Sequence, residues 1–135
     1  MLIMIQEAYV SYEIAKLLNE KGFDEPLETL ITPEGSTYFL DTKSRKQHIT
    51  IRNSEINFYS DDISCPTQQM ALSWLRQEHH LHIIVCIDDL DWSYQIINFE
   101  NKTDVQYIKD LAGFNSYENA VNAAIEHCLI NLISK

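Results

Sequence analysis

The sequence predicts an α+β fold: one antiparallel sheet of about five strands, in the element order α-βββ-α-ββ-α, with the helices packed mainly on one face. Three observations lead there. Segments 11–21, 66–79 and 116–133 carry apolar residues at helical spacing behind recognisable helix starts. The stretches between them alternate in polarity, as half-buried strands do. Amphipathic helices bury their stripes most simply against one face of an antiparallel sheet. At 135 residues, 45 % apolar and 22 % charged, the chain can bury roughly two-thirds of its unfolded surface, so a single domain over 1–135 needs neither metal nor disulfide to fold.

The first helix is signalled at both ends. Ser11 can accept from the orphan amides of the first turn, and Glu13 sits where the helix dipole favours an acid. Ile14, Leu17 and Leu18 form the stripe; Gly22 supplies a left-handed residue after the last turn, and Phe23 can fold back on it. Residues 24–36, punctuated by Pro26, Pro33 and Gly35, read as a loop. Segments 37–41, 47–52 and 55–59 then alternate, with Tyr38 and Leu40, Ile49 and Ile51, and Ile56 and Phe58 each sharing a face. They predict a three-stranded meander.

The second helix begins near Pro66, a residue suited to a first turn, and runs to about His79. Met70, Ala71, Trp74 and Leu75 point inward; Gln69, Arg76 and Gln77 point out. Segment 81–87, apolar at almost every position, predicts a strand covered on both faces. Segment 92–99 pairs with it across an acidic turn, and this hairpin should hold the central strands. Residues 103–112 fit two readings. Thr103 with Gln106 makes a capping box and Val105, Ile108 and Leu111 recur at helical spacing, yet an edge strand fits too; a helical turn is the expectation. The last helix buries Ala120, Val121, Ala124, Ile125, Cys128, Leu129 and Leu132. Its start, SYENA at 116–120, echoes SYEIA at 11–15, as a duplicated helix–hairpin unit or two independent good starts would produce.

Charge and cysteine content narrow the function classes. A net charge of −10 leaves few cations to neutralise phosphates, which argues against direct nucleic-acid contact and against anionic membranes. The acids fall in small clusters, Asp24–Glu25, Asp61–Asp62 and Asp88–Asp89–Asp91, so an acidic mimic of nucleic acid that inhibits a host protein is a conceivable alternative. Three cysteines without a CxxC pair are no disulfide framework and suit a reducing compartment. The apolar run Met1 to Ile5 is too short for a signal h-region and lacks a basic flank, and no stretch is long enough to span a membrane. The expected location is the cytoplasm.

Few residues suggest chemistry. His79, His80 and His82 lie close together, and His80 and His82 would share a strand face if the strand began at His80. Zinc takes such ligands with an added acid, but Asp88, Asp89 and Asp91 lie at the other end of the same strand, about six residues at 3.3 Å each away. Metal is therefore not favoured, and no cofactor is implied. The acidic turn lacks the spacing of a calcium loop. Cys65 precedes a helix, whose N-terminus can lower a thiol pKa, so it is the thiol expected to be most reactive, although a structural role weighs more. No GxSxG, P-loop, HExxH or GxGxxG pattern occurs. Seven tyrosines among acidic groups suit a protein-binding face, since tyrosine is enriched at interfaces; tyrosines covering a sheet with wetted hydroxyls fit equally well.

Three blocks, YVSYEIAKLLNEKGF at 9–23, CPTQQMALSWLR at 65–76 and FNSYENAVNAAIEHCLINLI at 114–133, together resemble a group of small acidic proteins encoded by phages, prophages and mobile elements of gut bacteria. All three are helices with their starts, so the resemblance implies a shared scaffold and an accessory role in a bacterial cytoplasm. It brings no catalytic residues.

The leading expectation is thus a non-catalytic module that binds a host or phage protein through Asp88, Asp89, Asp91, Trp92 and Tyr94. The rival is a small-molecule or metal-dependent enzyme or sensor using His80, His82 and Cys65. An exposed, aromatic far side of the sheet would imply a homodimer.

Overall fold

A computed structural model of the chain describes residues 7–40, 50–56, 61–101 and 106–134, and of Asp88 only the backbone. Helix α1 (Tyr12–Glu20) has the start and stop that the sequence announces. Ser11 Oγ accepts from the Ile14 N–H at 3.2 Å. Gly22 takes φ 97°, and the Phe23 N–H donates to Leu18 O at 2.9 Å. The reversal drives Phe23 into the core beside Ile14, Ala15 and Leu18, and burying a side chain of that size contributes about 2–3 kcal/mol.

The expected loop over 24–36 holds a strand instead. Strand β1 (Thr29–Ile31) is buried along its length and pairs antiparallel with β2 (Thr37–Phe39) on one side and β3 (Ile63–Ser64) on the other. Pro26 and Pro33 bracket this strand rather than break it, and three consecutive buried residues leave no alternation to read. Gly35, at φ 92°, donates its N–H to Thr32 O at 2.8 Å and closes the turn into β2. Among the described residues of the expected meander, Thr37–Phe39 is a strand in this sheet. Ile51 makes a single bridge to Leu27, Asn53–Glu55 is a 3-10 turn, and 41–49 and 57–60 lie outside the described residues. Asn53 stitches the region together: its Nδ2 donates to Phe23 O at 2.9 Å while its Oδ1 accepts from the Ser64 N–H at 3.1 Å.

A second antiparallel sheet has the order β4 (Leu81–Asp88), β5 (Asp91–Asn98), β6 (Gln106–Phe114). The helical turn expected within 103–112 is thus a strand from Gln106 onward; 102–105 lie outside the described residues. Pairing along β5, from Asn98↔Gln106 to Trp92↔Phe114, overrides the helical spacing of Ile108 and Leu111. β5 is central and β4 is an edge. The two faces of this edge strand are unequally covered among the described residues: Leu81 and Ile83 are buried beneath the helices, while His82 and Ile84 on the other face are half-buried.

Helices α2 (Gln68–His79) and α3 (Tyr117–His127) pack on the covered face, and α3 runs on into a π turn, Cys128–Leu132. Thr67 and Ser116 cap them, each side chain accepting from the N–H three residues on. α1 packs against β3 and α3. The inward stripe of α2 holds at Ala71, Trp74 and Leu75, all buried, and differs at Met70. Met70 is 42 % exposed, whereas Gln68 and Leu72 are buried beside that stripe. Among the described residues the architecture is therefore α+β with three helices and two three-stranded antiparallel sheets, not a single five-stranded one.

Candidate protein-binding surface

β4 and β5 are joined by two residues, Asp89 and Leu90, between the paired Asp88 and Asp91. So tight a connection requires positive φ in the loop. Asp89 takes φ 53°, which a short polar side chain tolerates better than most. Leu90 then stands 93 % exposed between the exposed Asp89 and Asp91.

Behind the tip, Ile87 pairs with Trp92 and Trp92 with Phe114, so one apolar row crosses all three strands. Trp92 meets the Tyr117 ring edge-on, with centroids 5.9 Å apart and planes at 82°. Tyr117 is itself held, because Gln69 Nε2 donates to its hydroxyl at 3.1 Å. One residue earlier, Gln68 Nε2 donates to Glu118 O and to Asn122 Oδ1, both at 2.9 Å. The start of α2 thus grips the start of α3, and the start of α3 braces the base of the hairpin. Glu118 adds a third exposed acid near that brace.

Two of the residues expected to meet a partner, Asp89 and Asp91, are on the surface at the tip, and Trp92 is half-buried. Tyr94 is not available: it is 2 % exposed, packed on Phe114 at 5.6 Å. Strand alternation sends 92 and 94 to the same face, and two residues further from the tip that face is fully covered by α3. The side chain of Asp88 lies outside the description. Leu90 is not among the residues expected to meet a partner, yet the sequence carries a signal for it. An apolar residue in a two-residue turn, where Gly or Asn is the usual choice, contributes nothing to the turn itself.

Tyrosine and acid do meet, but elsewhere. Tyr12 donates its hydroxyl to Asp61 O at 2.9 Å, and Tyr38 donates to Asp62 Oδ2. The hydrogen bond to Asp62 is the main reason that the Tyr38 phenol is pushed up to about 12. Desolvation, then the carboxylates of Asp61, Asp62, Glu34 and Glu13, raise Tyr12. A shallow cleft of about 390 Å³ opens beside them, lined by Tyr9, Tyr12, Glu13, Glu34 and Thr37 among others. These hydroxyls tie α1 and β2 to residues 61–62, so they act as internal clasps.

The histidines and Cys65 do not converge. His80 ends α2 in the left-handed conformation (φ 56°, ψ 34°), its N–H donating to Leu75 O and its ring edge-on to Phe99 at 5.6 Å. The strand therefore begins at Leu81, and His80 does not share a strand face with His82. His82 lies on the face away from the helices, and its Nδ1 is buried with no hydrogen-bond partner among the described residues. His79 rests on Trp74 at 4.7 Å, and desolvation lowers its pKa. Cys65 is the reverse of a reactive thiol. It lies in the core, donates to Val10 O at 3.4 Å, and burial pushes it up to about 12. The helix starts only at Gln68, behind the Thr67 cap, so its dipole does not act on Cys65 at close range. Cys86 is the exposed thiol. Among the described residues, no group of three or more His, Cys, Asp or Glu could hold a metal ion, and no helix is long and apolar enough to cross a membrane.

No protein-family model matches the chain, and neither a curated protein nor a solved structure matches it.

Proposed function

We propose that this chain is a non-catalytic protein-binding module, a small accessory protein of a bacterium or its phage. It presents the β4–β5 hairpin to a basic surface on a host or phage protein in the cytoplasm. The observation that carries this reading is Leu90, 93 % exposed between two exposed carboxylates on a braced hairpin. A leucine there does nothing for the fold, while burying it in a partner's pocket contributes about 2 kcal/mol. Asp89, Asp91 and Glu118 supply the complementary field, which speeds encounter with a basic partner and makes it salt-sensitive. Because the Trp92–Tyr117 contact fixes the base of the hairpin, little ordering entropy is lost on docking.

The test uses immobilised protein in bacterial lysate, compared with Asp89→Asn, Asp91→Lys and Leu90→Ser. The expected result is a protein retained by the wild type, released by salt, and lost from all three variants while their melting temperatures stay unchanged. Full retention by the variants overturns the assignment of the tip.

A further inference from the structure

The two edges of the β4-β5-β6 sheet are unlike. β6 carries devices that keep an edge from pairing with another chain: two bulged residues, Ile108 and Gly113 (the latter at φ 98°), and the charges Lys109 and Asp110 between them. β4 carries none. Its sequence, LHIIVCID, has no Lys, Arg, Pro or Gly, and it pairs with β5 in unbroken register from Leu81↔Asn98 to Asp88↔Asp91. Among the described residues its outer edge has no backbone partner. The two-residue loop closes with Asp88 and Asp91 as a hydrogen-bonded pair, so alternation turns the N–H and C=O groups of Ile87, Val85, Ile83 and Leu81 outward.

We propose that β4 is a homodimer edge: two copies of this chain pair antiparallel about a two-fold axis at Val85, forming one six-stranded sheet. A two-fold axis normal to the sheet keeps each face on its own side, so residues of like parity meet. With Val85 on the axis, Ile83 lies opposite Ile87 of the second copy, Ile84 opposite Cys86, and His82 opposite Asp88. Ile87, 61 % exposed in one copy, gains an apolar neighbour, and a histidine faces an acid at each end of the join. Shifting the axis to Ile84 loses that pairing, because Asp88 then faces His80, which has already left the strand for the left-handed conformation. The self-complementary register commits the edge to a second copy, despite the like net charge of the two chains. The two Leu90 tips end on opposite sides of the axis. Their Asp89 residues lie about 27 Å apart at roughly 3.4 Å per residue.

Sedimentation equilibrium at micromolar protein tests this on the whole chain. The expected mass is twice 15.7 kDa. Cys86→Lys places a charge on an already exposed position and should give a folded monomer. Val85→Pro removes an outward N–H that its own sheet does not use, and should do the same. Ile84→Cys should form a covalent dimer with the native Cys86 of the second copy under mild oxidant, and Ile84→Cys combined with Cys86→Ser should not. A wild-type monomer overturns the proposal. So does a dimer that persists in both edge variants, or cross-linking that survives Cys86→Ser. Asp89→Asn should leave the dimer intact, so the pairing and the partner-binding tip stand or fall separately.

Discussion

Replacing Gln68 by leucine should loosen the junction that sets the candidate surface. Gln68 is 2 % exposed, and its Nε2 makes two hydrogen bonds of 2.9 Å into the first turns of α3. A hydrogen bond of this kind contributes about 1 kcal/mol net, and an acceptor left buried without its donor costs about 1–3 kcal/mol. Glu118 O keeps its helical partner and the half-buried Asn122 can turn towards water, so the lower end applies to both. Leucine recovers part of this through apolar burial, and the net loss is about 2 kcal/mol. With an unfolding entropy of about 2.1 cal/mol/K per residue, 135 residues give about 0.28 kcal/mol/K, and the melting temperature falls by about 7 °C. Urea unfolding followed by circular dichroism measures the loss, and tryptophan emission reports whether Trp92 slips from Tyr117. A loss under about 0.5 kcal/mol, with unchanged emission, would show that apolar packing alone holds α2 on α3.

Three further outcomes are expected. An aromatic disulfide reagent at mildly alkaline pH should titrate one thiol rapidly in the native protein, Cys86, since burial pushes Cys65 and Cys128 up to about 12; fast reaction of a second thiol contradicts the packing. The raised Tyr38 phenol favours the neutral form in the fold, so its contribution is whole below 10.0 and is lost as pH rises towards about 12. Wild type should therefore lose stability more steeply than Tyr38→Phe across that interval, and parallel curves refute the Asp62 clasp. Ile96→Ala, at a fully buried position of the central strand, should cost about 2–5 kcal/mol by denaturant unfolding, and a cost under about 1 kcal/mol would place Ile96 outside the core.

Helix ends were readable because each rests on a local group. Ser11, Gly22 and Phe23 announce α1 without reference to the rest of the chain. Strands were less so. Thr29–Ile31 is covered on all sides and shows no alternation, and Gln106–Phe114 carries helical spacing that only its pairing with β5 overrules. In α2 the stripe of Ala71, Trp74 and Leu75 was legible, but the exchange of Met70 for Gln68 was not, since a glutamine goes inside only when α3 offers acceptors from fifty residues away in sequence. At the candidate surface, the acidic turn was visible in the spelling DDLD. The burial of Tyr94 was not, because it depends on how far α3 reaches along the sheet.

The π turn at Cys128–Leu132 has a consequence for how this chain can change in length. Its N–H from Ile133 returns to Cys128 O at 3.1 Å, a ring one residue wider than the α-helical one. The extra residue carries the inward position on to Ile133, leaving Leu132 half-buried and Ile130 and Asn131 outside. Deleting Ile130 would let this stretch close as ordinary α-helix with an apolar side chain still available to fill the same place. An insertion elsewhere in α3 would instead rotate its buried Ala124 and Ile125 off the sheet. The end of the last helix is thus a built-in slack point, where a single codon can be lost without unseating the core.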